Sequence, residues 1–218
     1  MTSETDVRFE GTTDTLHGRA LDPTGEAWGA LVLCHGRHED METPLVAALA
    51  RLASGEGLWT LRFDFAFVGS GAEPSPGHAD EIADLREAIG YARATCRTDT
   101  VFVAGRGLGA WAAVGAATDE TVAGVILLGL SYEGQPERGM ALQRLDELEI
   151  PTLILVGFES DRTDLPALQE VVAGLSHLDL EILAGADHRL EDAKGRPVTE
   201  AVLLECEAWL RARRRERN

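Results

Sequence analysis

Short, continuous apolar segments alternate with helical segments along most of this chain. Most of the apolar segments lack the polar alternation of a half-exposed strand, which is typical of parallel strands covered on both faces. Repeated strand–helix–strand units with right-handed crossovers predict an α/β fold with a doubly wound, mostly parallel sheet. The predicted parallel strands are Gly29–Cys34, Leu58–Asp64, Thr100–Ala104, Val122–Leu130, Thr152–Val156 and Leu178–Leu183.

The segments between these strands carry helical patterns. Ala79–Cys96 places Ile82, Leu85 and Ile89 on one stripe, which is the period of an amphipathic helix. Gly107–Ala117 is small and apolar nearly all round, which predicts a buried helix. The remaining predicted helices are Pro44–Ala53, with Thr43 as its candidate N-cap, Leu165–Gly174 and Thr199–Arg215.

The N-terminal part differs from this pattern. Val7–Glu10 and Leu16–Leu21 predict an antiparallel hairpin, with Gly11 and Asp14 in its turn. Residues Gly69–Gly77 are rich in glycine and proline and predict a surface loop. No internal repeat or linker interrupts the chain, so we expect residues 1–218 to form a single domain.

The charge balance and the polarity of the termini restrict the partners. The chain of 218 residues holds 37 acidic against 20 basic side chains, for a net charge of −17. Such an acidic body repels phosphate backbones, which argues against nucleic-acid binding. The apolar run from Val122 to Leu130 is far too short to span a membrane, and residues 1–10 are acidic and polar, unlike a signal peptide. We expect a cytoplasmic protein. The sequence does not specify its oligomeric state.

Cysteine and histidine spacing gives no sign of a metal or a disulfide framework. Cys34, Cys96 and Cys206 are widely spaced in apolar context, so reduced and mostly buried thiols are expected. Cys34 precedes His35, but adjacent strand residues point to opposite faces, so Cys34 is expected in the core. No His-x-His or His-Glu-x-x-His spacing occurs. Neither a metal nor an organic cofactor is implied.

Unusual residues follow four of the predicted strands. Because ligands bind at the carboxyl ends of the strands in open α/β sheets, we expect the chemistry at this edge. The four segments are Cys34-His35-Gly36-Arg37, Gly105-Arg106-Gly107-Leu108-Gly109, Gly157-Phe158-Glu159-Ser160-Asp161 and Gly185-Ala186-Asp187-His188.

These motifs, in this order, resemble the α/β-hydrolase superfamily over nearly the whole chain. The likeness is to small, lid-poor members related to dienelactone hydrolases and testis-expressed-type hydrolases. It rests on the His-Gly after an early strand, the strand–GxxxG–helix turn, the later acid and the final Gly-x-Asp-His. The resemblance implies an ester- or lactone-hydrolase ancestry and a small ester-like ligand. The short connection from Ser131 to Leu148 leaves little room for a lid.

The resemblance also assigns roles to individual residues. It places Gly107 at the nucleophile position and implies that Asp161 orients His188. The backbone N–H groups of Leu108 and Arg37 are the implied donors to an oxyanion. The family carries G-x-S-x-G at this turn, whereas the chain has glycine in place of the serine. Glycine has no hydroxyl, so an acyl-enzyme cannot form at this position.

Three functional hypotheses follow from that substitution. In the first hypothesis, the chain is a pseudo-hydrolase that binds a ligand. In the second, it is an enzyme in which His188 and Asp161 activate a water molecule. The third hypothesis is an active hydrolase whose nucleophile was replaced in this chain by divergence or engineering. Ser131 and Ser160 are candidate substitute nucleophiles.

Two arginines near the predicted site, Arg37 and Arg106, have two interpretations. In one interpretation the two side chains bind an acidic substrate. In the other they form surface salt bridges in a very acidic protein.

A different class of function fits the same glycines. Gly105-x-Gly107-x-x-Ala110 matches the dinucleotide-binding pattern G-x-G-x-x-G/A, follows a strand and begins a helix. Glu133 lies near the distance expected for an acid that binds the ribose. However, two strand–helix units precede this pattern, which usually begins its fold. The alternative also leaves the His-Gly turn and the late Asp-His unexplained.

Overall fold

The computed structural model describes residues 4–119, 121–132 and 143–217. The described strands form one eight-stranded sheet. They are β1 Glu4–Glu10, β2 Thr15–Leu21, β3 Gly29–Cys34, β4 Leu58–Asp64, β5 Val101–Arg106, β6 Gly124–Leu128, β7 Thr152–Gly157 and β8 Leu178–Leu183.

Six α-helices flank this sheet in the described part of the chain. They are α1 Pro44–Gly55, α2 Ala66–Ser70, α3 Ala79–Cys96, α4 Leu108–Asp119, α5 Leu165–Ala173 and α6 Thr199–Arg217. Short 3₁₀ helices cover Pro76–His78 and Gln143–Leu145. Over these ranges, no helix has both the length and the apolar character that a membrane crossing requires.

The sheet has the order β1-β2-β4-β3-β5-β6-β7-β8. β1 pairs with β2 and β2 with β4 in antiparallel fashion, while the remaining neighbours are parallel. The turn of the N-terminal hairpin is closed by the Gly11 N–H, which donates to the Asp14 carbonyl at 2.8 Å. The predicted fold class, a mostly parallel sheet with an antiparallel hairpin at its start, is confirmed.

The core lies on both faces of the sheet. Every residue of β3 is buried, and its successive side chains enter different clusters. Val32 packs in the cluster that includes α3 and α4, whereas Leu33 packs in the cluster that includes α1 and α6. This alternation is what a strand covered on both faces requires. It leaves the carboxyl ends of the central strands as the place for polar chemistry.

Several local predictions differ from the structure. β6 ends at Leu128 rather than Leu130 because Gly129 turns the chain at φ +63°. The predicted loop Gly69–Gly77 overlaps α2, a short helix that the sequence does not predict and that is followed by Gly71 at φ +67°. Thr43 lies at the N-cap of α1, but its side chain makes no capping hydrogen bond. The connection from Ser131 to Leu148 falls largely outside the described residues.

The turn between β5 and α4 is packed tightly against the end of β3. A Cβ on Gly105 would lie 2.1 Å from the Gly109 carbonyl oxygen. A Cβ on Gly109 would lie 2.7 Å from the carbonyl oxygen of His35, which accepts a 3.1 Å hydrogen bond from the Gly109 N–H. Both glycines are therefore required by backbone contacts, and together they fix where Gly107 sits.

This packing predicts opposite effects for two glycine-to-alanine substitutions. Gly109→Ala should lower the free energy of unfolding by about 1–3 kcal/mol, because the new methyl group meets rigid backbone atoms. Gly90→Ala is the control, since Gly90 is exposed in α3 and a Cβ there meets no atom within 4 Å. It should raise stability by about 0.5–1 kcal/mol. Urea denaturation measures both, and equal effects would contradict the packing argument.

Candidate functional site

Asp161 and His188 are in contact at the edge where β7 and β8 end. The Oδ1 atom of Asp161 lies 3.0 Å from Nδ1 of His188. The histidine side chain is 19% exposed and the aspartate side chain 76%. Nδ1 faces the carboxylate, which leaves Nε2 as the ring nitrogen that can accept a proton. The structure thus brings together the two residues that the sequence analysis assigns to one pair.

The loop that carries His188 is held by Asp187, to which the sequence analysis assigned no role. Asp187 Oδ1 accepts hydrogen bonds from the N–H groups of Arg189, at 2.8 Å, and Glu191, at 3.0 Å. A Cβ on Gly129 would lie 2.7 Å from the His188 carbonyl oxygen, so the end of β6 packs closely against this loop. The signal in the sequence was an aspartate able to accept from a backbone N–H two residues on, as in an Asx turn.

Gly107 lies at the tight turn between β5 and α4 with φ +54°. Its N–H donates to the Leu128 carbonyl at 2.9 Å, which anchors the turn to the neighbouring strand. Among the described residues beyond its chain neighbours, a Cβ built there would meet the Cα of Gly36 at 3.7 Å, which is an ordinary contact. Gly107 and His188 line the same cleft of ≈ 290 Å³. The position therefore has room for a side chain or a water molecule.

Two backbone donors border this cleft. Leu108 is the first residue of α4, where an N–H has no partner within the helix and the helix dipole favours negative charge. Among the described residues, neither the Leu108 N–H nor the Arg37 N–H has an acceptor. The N–H of Gly36, in contrast, donates to Glu39 Oε2 at 2.9 Å. The N–H groups of Leu108 and Arg37 are therefore available to donate to a bound ligand.

His35 supports the loop that presents Arg37. Its ring is fully buried, with Nδ1 2.8 Å from the Gly36 carbonyl and Nε2 accepting from the Phe65 N–H at 3.3 Å. Burial lowers the pKa of His35, although the Gly36 carbonyl and the nearby Asp64 act in the opposite direction. The neutral ring is therefore a structural link between the ends of β3 and β4.

Cys34 is a core residue, as expected. It is 1% exposed, and its Sγ lies 3.5 Å from the Ala104 carbonyl and 3.4 Å from the Gly109 carbonyl. Burial raises the pKa of this thiol, which opposes formation of the reactive thiolate.

The two candidate serines differ in their surroundings. Ser131 is buried, lines the cleft and donates from Oγ to the Gly129 carbonyl at 3.3 Å. Ser160 donates from Oγ to Thr163 Oγ1 at 3.0 Å and accepts from the Arg162 N–H. Ser131 therefore lines the cleft, whereas Ser160 is not among the described residues that line it.

Arg37 and Arg106 both form ion pairs. Arg37 Nη2 lies 2.6 Å from Glu73 Oε2. Arg106 pairs with Glu39, and its Nη2 donates to the Arg189 carbonyl at 2.8 Å. These contacts favour the salt-bridge interpretation of both side chains.

Nothing in the described site favours the dinucleotide alternative. Backbone packing accounts for Gly105 and Gly109, and Ala110 is buried within α4. Glu133 lies outside the described residues. In the parts of the chain that the structure describes, no three histidine, cysteine or acidic side chains are grouped to hold a metal ion.

The burial of His35 predicts its titration. Its pKa should lie below the ordinary value of 6.5. A lowered pKa means that the unfolded chain takes up the proton first, so this residue reduces stability as the pH falls below 6.5. NMR of the His35 imidazole resonances against pH measures its midpoint. A midpoint at or above 6.5 would contradict the neutral, buried ring.

Comparisons with known proteins agree with this fold. A search of curated proteins finds no match. An α/β serine hydrolase homologue from Coxiella burnetii is 21% identical, with 96% of each chain covered and a TM-score of 0.74. A protein of unknown function from Agrobacterium tumefaciens is 21% identical, with 97% of each chain covered and a TM-score of 0.78.

A dienelactone hydrolase from Anabaena variabilis is 23% identical, with a TM-score of 0.75, and 97% of this chain and 98% of that chain are covered. At these identities the likeness to solved structures is one of fold. The family evidence is a model described as an alpha/beta hydrolase domain, which matches residues 28–211. Because that match spans most of the sequence, the chain belongs to the α/β-hydrolase superfamily.

Proposed function

We propose that this protein hydrolyses small carboxylic esters slowly, with a water molecule in place of the missing serine hydroxyl. The observation that carries the proposal is the 3.0 Å contact between Asp161 and His188, beside a cleft in which Gly107 leaves space. A general base and two oxyanion donors are available, and only the covalent nucleophile is absent. The serine and dienelactone hydrolases among the relatives support an ester- or lactone-hydrolase ancestry.

The proposed reaction needs no covalent intermediate. The water oxygen bonds to the ester carbonyl carbon while its proton passes to Nε2 of His188. Asp161 stays ionised and stabilises the imidazolium, while the N–H groups of Leu108 and Arg37 stabilise the oxyanion. The bond from the carbonyl carbon to the alkoxy oxygen then breaks, and that oxygen takes the proton from His188. The products are a carboxylic acid and an alcohol.

A second candidate is a pseudo-hydrolase that binds an ester-like ligand without turnover. The observation that favours it is the 76% exposure of the Asp161 side chain. Water competes for an exposed carboxylate, which weakens its hold on the histidine ring. The two candidates share the cleft and the ligand class, and they differ in whether His188 transfers a proton.

The hydrolytic proposal predicts activity that depends on His188. With 4-nitrophenyl acetate, the unmodified chain should show a turnover about 10²–10⁴-fold above the uncatalysed reaction, which is the contribution of a general base. His188→Ala should remove this activity. His17→Ala is the matched control, since His17 is exposed on β2. Steady-state release of nitrophenolate measures all three proteins, and equal rates would favour the binding protein.

Restoring the hydroxyl provides a second prediction. Gly107→Ser should react covalently with a fluorophosphonate, because the new Oγ enters the cleft beside His188 and the oxyanion donors. The variant should also lose about 1–3 kcal/mol of stability, since a non-glycine residue then adopts positive φ. Gly71→Ser is the control for strain, because Gly71 has φ +67° and a Cβ at that position would meet no atom within 4 Å.

The two variants together distinguish the strain of a side chain at positive φ from the chemistry of the site. Similar losses of stability, with labelling of Gly107→Ser alone, are the expected result. Labelling should disappear when His188→Ala is added to Gly107→Ser. Loss of stability without labelling would contradict an intact proton acceptor and oxyanion site.

A further inference from the structure

Arg106 connects the turn at Gly107 with two loops that follow other strands. It is the last residue of β5 and directly precedes Gly107. Its Nη1 pairs with Oε1 of Glu39, in the loop after β3. Its Nη2 donates to the Arg189 carbonyl at 2.8 Å, in the loop after β8. Because a guanidinium group presents its N–H donors in a rigid plane, this one side chain fixes both loops relative to the turn.

On one side, this bridge reaches the backbone at Gly36 and Arg37. The second carboxylate oxygen of Glu39, Oε2, accepts from the Gly36 N–H at 2.9 Å. A Cβ on Gly36 would lie 2.7 Å from the same oxygen, so the carboxylate packs directly against the backbone. Arg37 is the next residue. The position of the Arg37 N–H therefore depends on contacts that run through Glu39 to Arg106.

On the other side, the bridge reaches a strained segment beside His188. Leu190 has φ +60°, which is unfavourable for a residue with a side chain and persists only where neighbouring contacts hold it. The carbonyl of the peptide group before Leu190 accepts from Arg106. The N–H of that same peptide group donates to the Asp187 carbonyl at 3.0 Å. Since this peptide group begins at Arg189, directly after His188, Arg106 helps to set the position of the histidine.

The ion pair of Arg106 is shielded from water, in contrast to that of Arg37. The side chains of Arg106 and Glu39 are 12% and 22% exposed. Those of Arg37 and Glu73 are 45% and 80% exposed. Exposed pairs contribute little because water screens them and both side chains move, whereas breaking a shielded pair leaves an uncompensated charge. Of these two arginines, Arg106 is the one whose contacts can hold a fixed geometry.

We propose that Arg106 is a positioning residue, which holds the Arg37 N–H and the His188 ring at a fixed separation. It acts through the two loops rather than by contact with the reacting ester atoms. That the two positioned groups serve hydrolysis rests on the proposed function. Their separation matters because the general base and the oxyanion donor must meet the same carbonyl group in the transition state.

Steady-state kinetics with 4-nitrophenyl acetate distinguish a positioning role from a structural one. Arg106→Gln should lower kcat about tenfold and leave KM within about twofold, because misplaced groups lose contacts made in the transition state. Arg106→Lys should recover part of the loss, since its ammonium group keeps the charge opposite Glu39. A structural role alone would lower stability in urea and leave the kinetic constants of the folded protein unchanged.

Arg211→Gln is the control for a purely structural arginine. The Arg211 guanidinium donates to both carboxylate oxygens of Glu56, at 2.8 and 3.0 Å, just before β4 begins. This pair joins α6 to the segment after α1, at a distance from the cleft along the strands. Its loss should lower stability in urea and leave both kcat and KM unchanged.

Breaking the bridge from its other end provides a variant that decides the question if Arg106→Gln does not fold. Glu39→Gln leaves an amide oxygen that can accept from the Gly36 N–H but removes the charge that faces Arg106. It should lower kcat with little change in KM. The double variant Arg106→Gln/Glu39→Gln should be no slower than Arg106→Gln alone, because both changes break one bridge.

Fluorophosphonate labelling tests the same bridge without attack by water. Adding Arg106→Gln to Gly107→Ser should slow labelling about tenfold, because the new hydroxyl uses the same base and oxyanion donors. Slower labelling, in a protein whose unmodified form hydrolyses no ester, would support the positioning role and contradict water activation. Hydrolysis that depends on His188 but not on Arg106 would support the proposed function and overturn the positioning role.

Three further results would overturn the role of Arg106. They are unchanged kinetic constants in Glu39→Gln, additive losses in the double variant, and absence of labelling in Gly107→Ser. The last result would mean that the base and the oxyanion donors are not assembled, so that the bridge has nothing to position.

Discussion

The close approach of α4 to the end of β3 is the constraint on which the site depends. Gly105 and Gly109 allow the strand, the turn and the helix to meet at distances that no Cβ would tolerate. That packing places Leu108, the first residue of α4, beside the cleft and holds Gly107 at positive φ. It requires glycine on both sides of position 107, but it does not require glycine at 107 itself. Glycine at position 107 is therefore favoured by its positive φ, but the surrounding contacts do not demand it.

The remaining parts of the site are arranged around that turn by the ends of the other strands. β7 supplies Asp161 and β8 supplies His188, whose loop is ordered by Asp187. The loop after β3 carries Arg37. The buried ring of His35 contacts this loop through the Gly36 carbonyl. In the proposed function, His188 is the general base, Asp161 orients it and two backbone N–H groups stabilise the oxyanion, without the nucleophile that they would serve in a serine hydrolase. Such a set supports attack by water, although without the rate that covalent catalysis provides.

Sequence reasoning could predict what depends on local pattern and strand order. The parallel strands were visible as continuous apolar runs, and the contact of Asp161 with His188 followed from their places after β7 and β8. It could not predict contacts between side chains from distant parts of the chain. The pairing of Arg106 with Glu39 joins the end of β5 to the loop after β3, and only the packed structure shows it. The helix α2 was missed because its five residues form less than two turns beside a glycine-rich segment.

Mass spectrometry of the intact protein during turnover tests the central claim, that water attacks the ester directly. The unmodified chain is mixed with an activated ester, quenched in acid and weighed while product still forms. We expect His188-dependent product release with the protein mass unchanged, because no hydroxyl stands at position 107. A stoichiometric acyl adduct would contradict the account, and its location, at Ser131 for example, would identify the nucleophile.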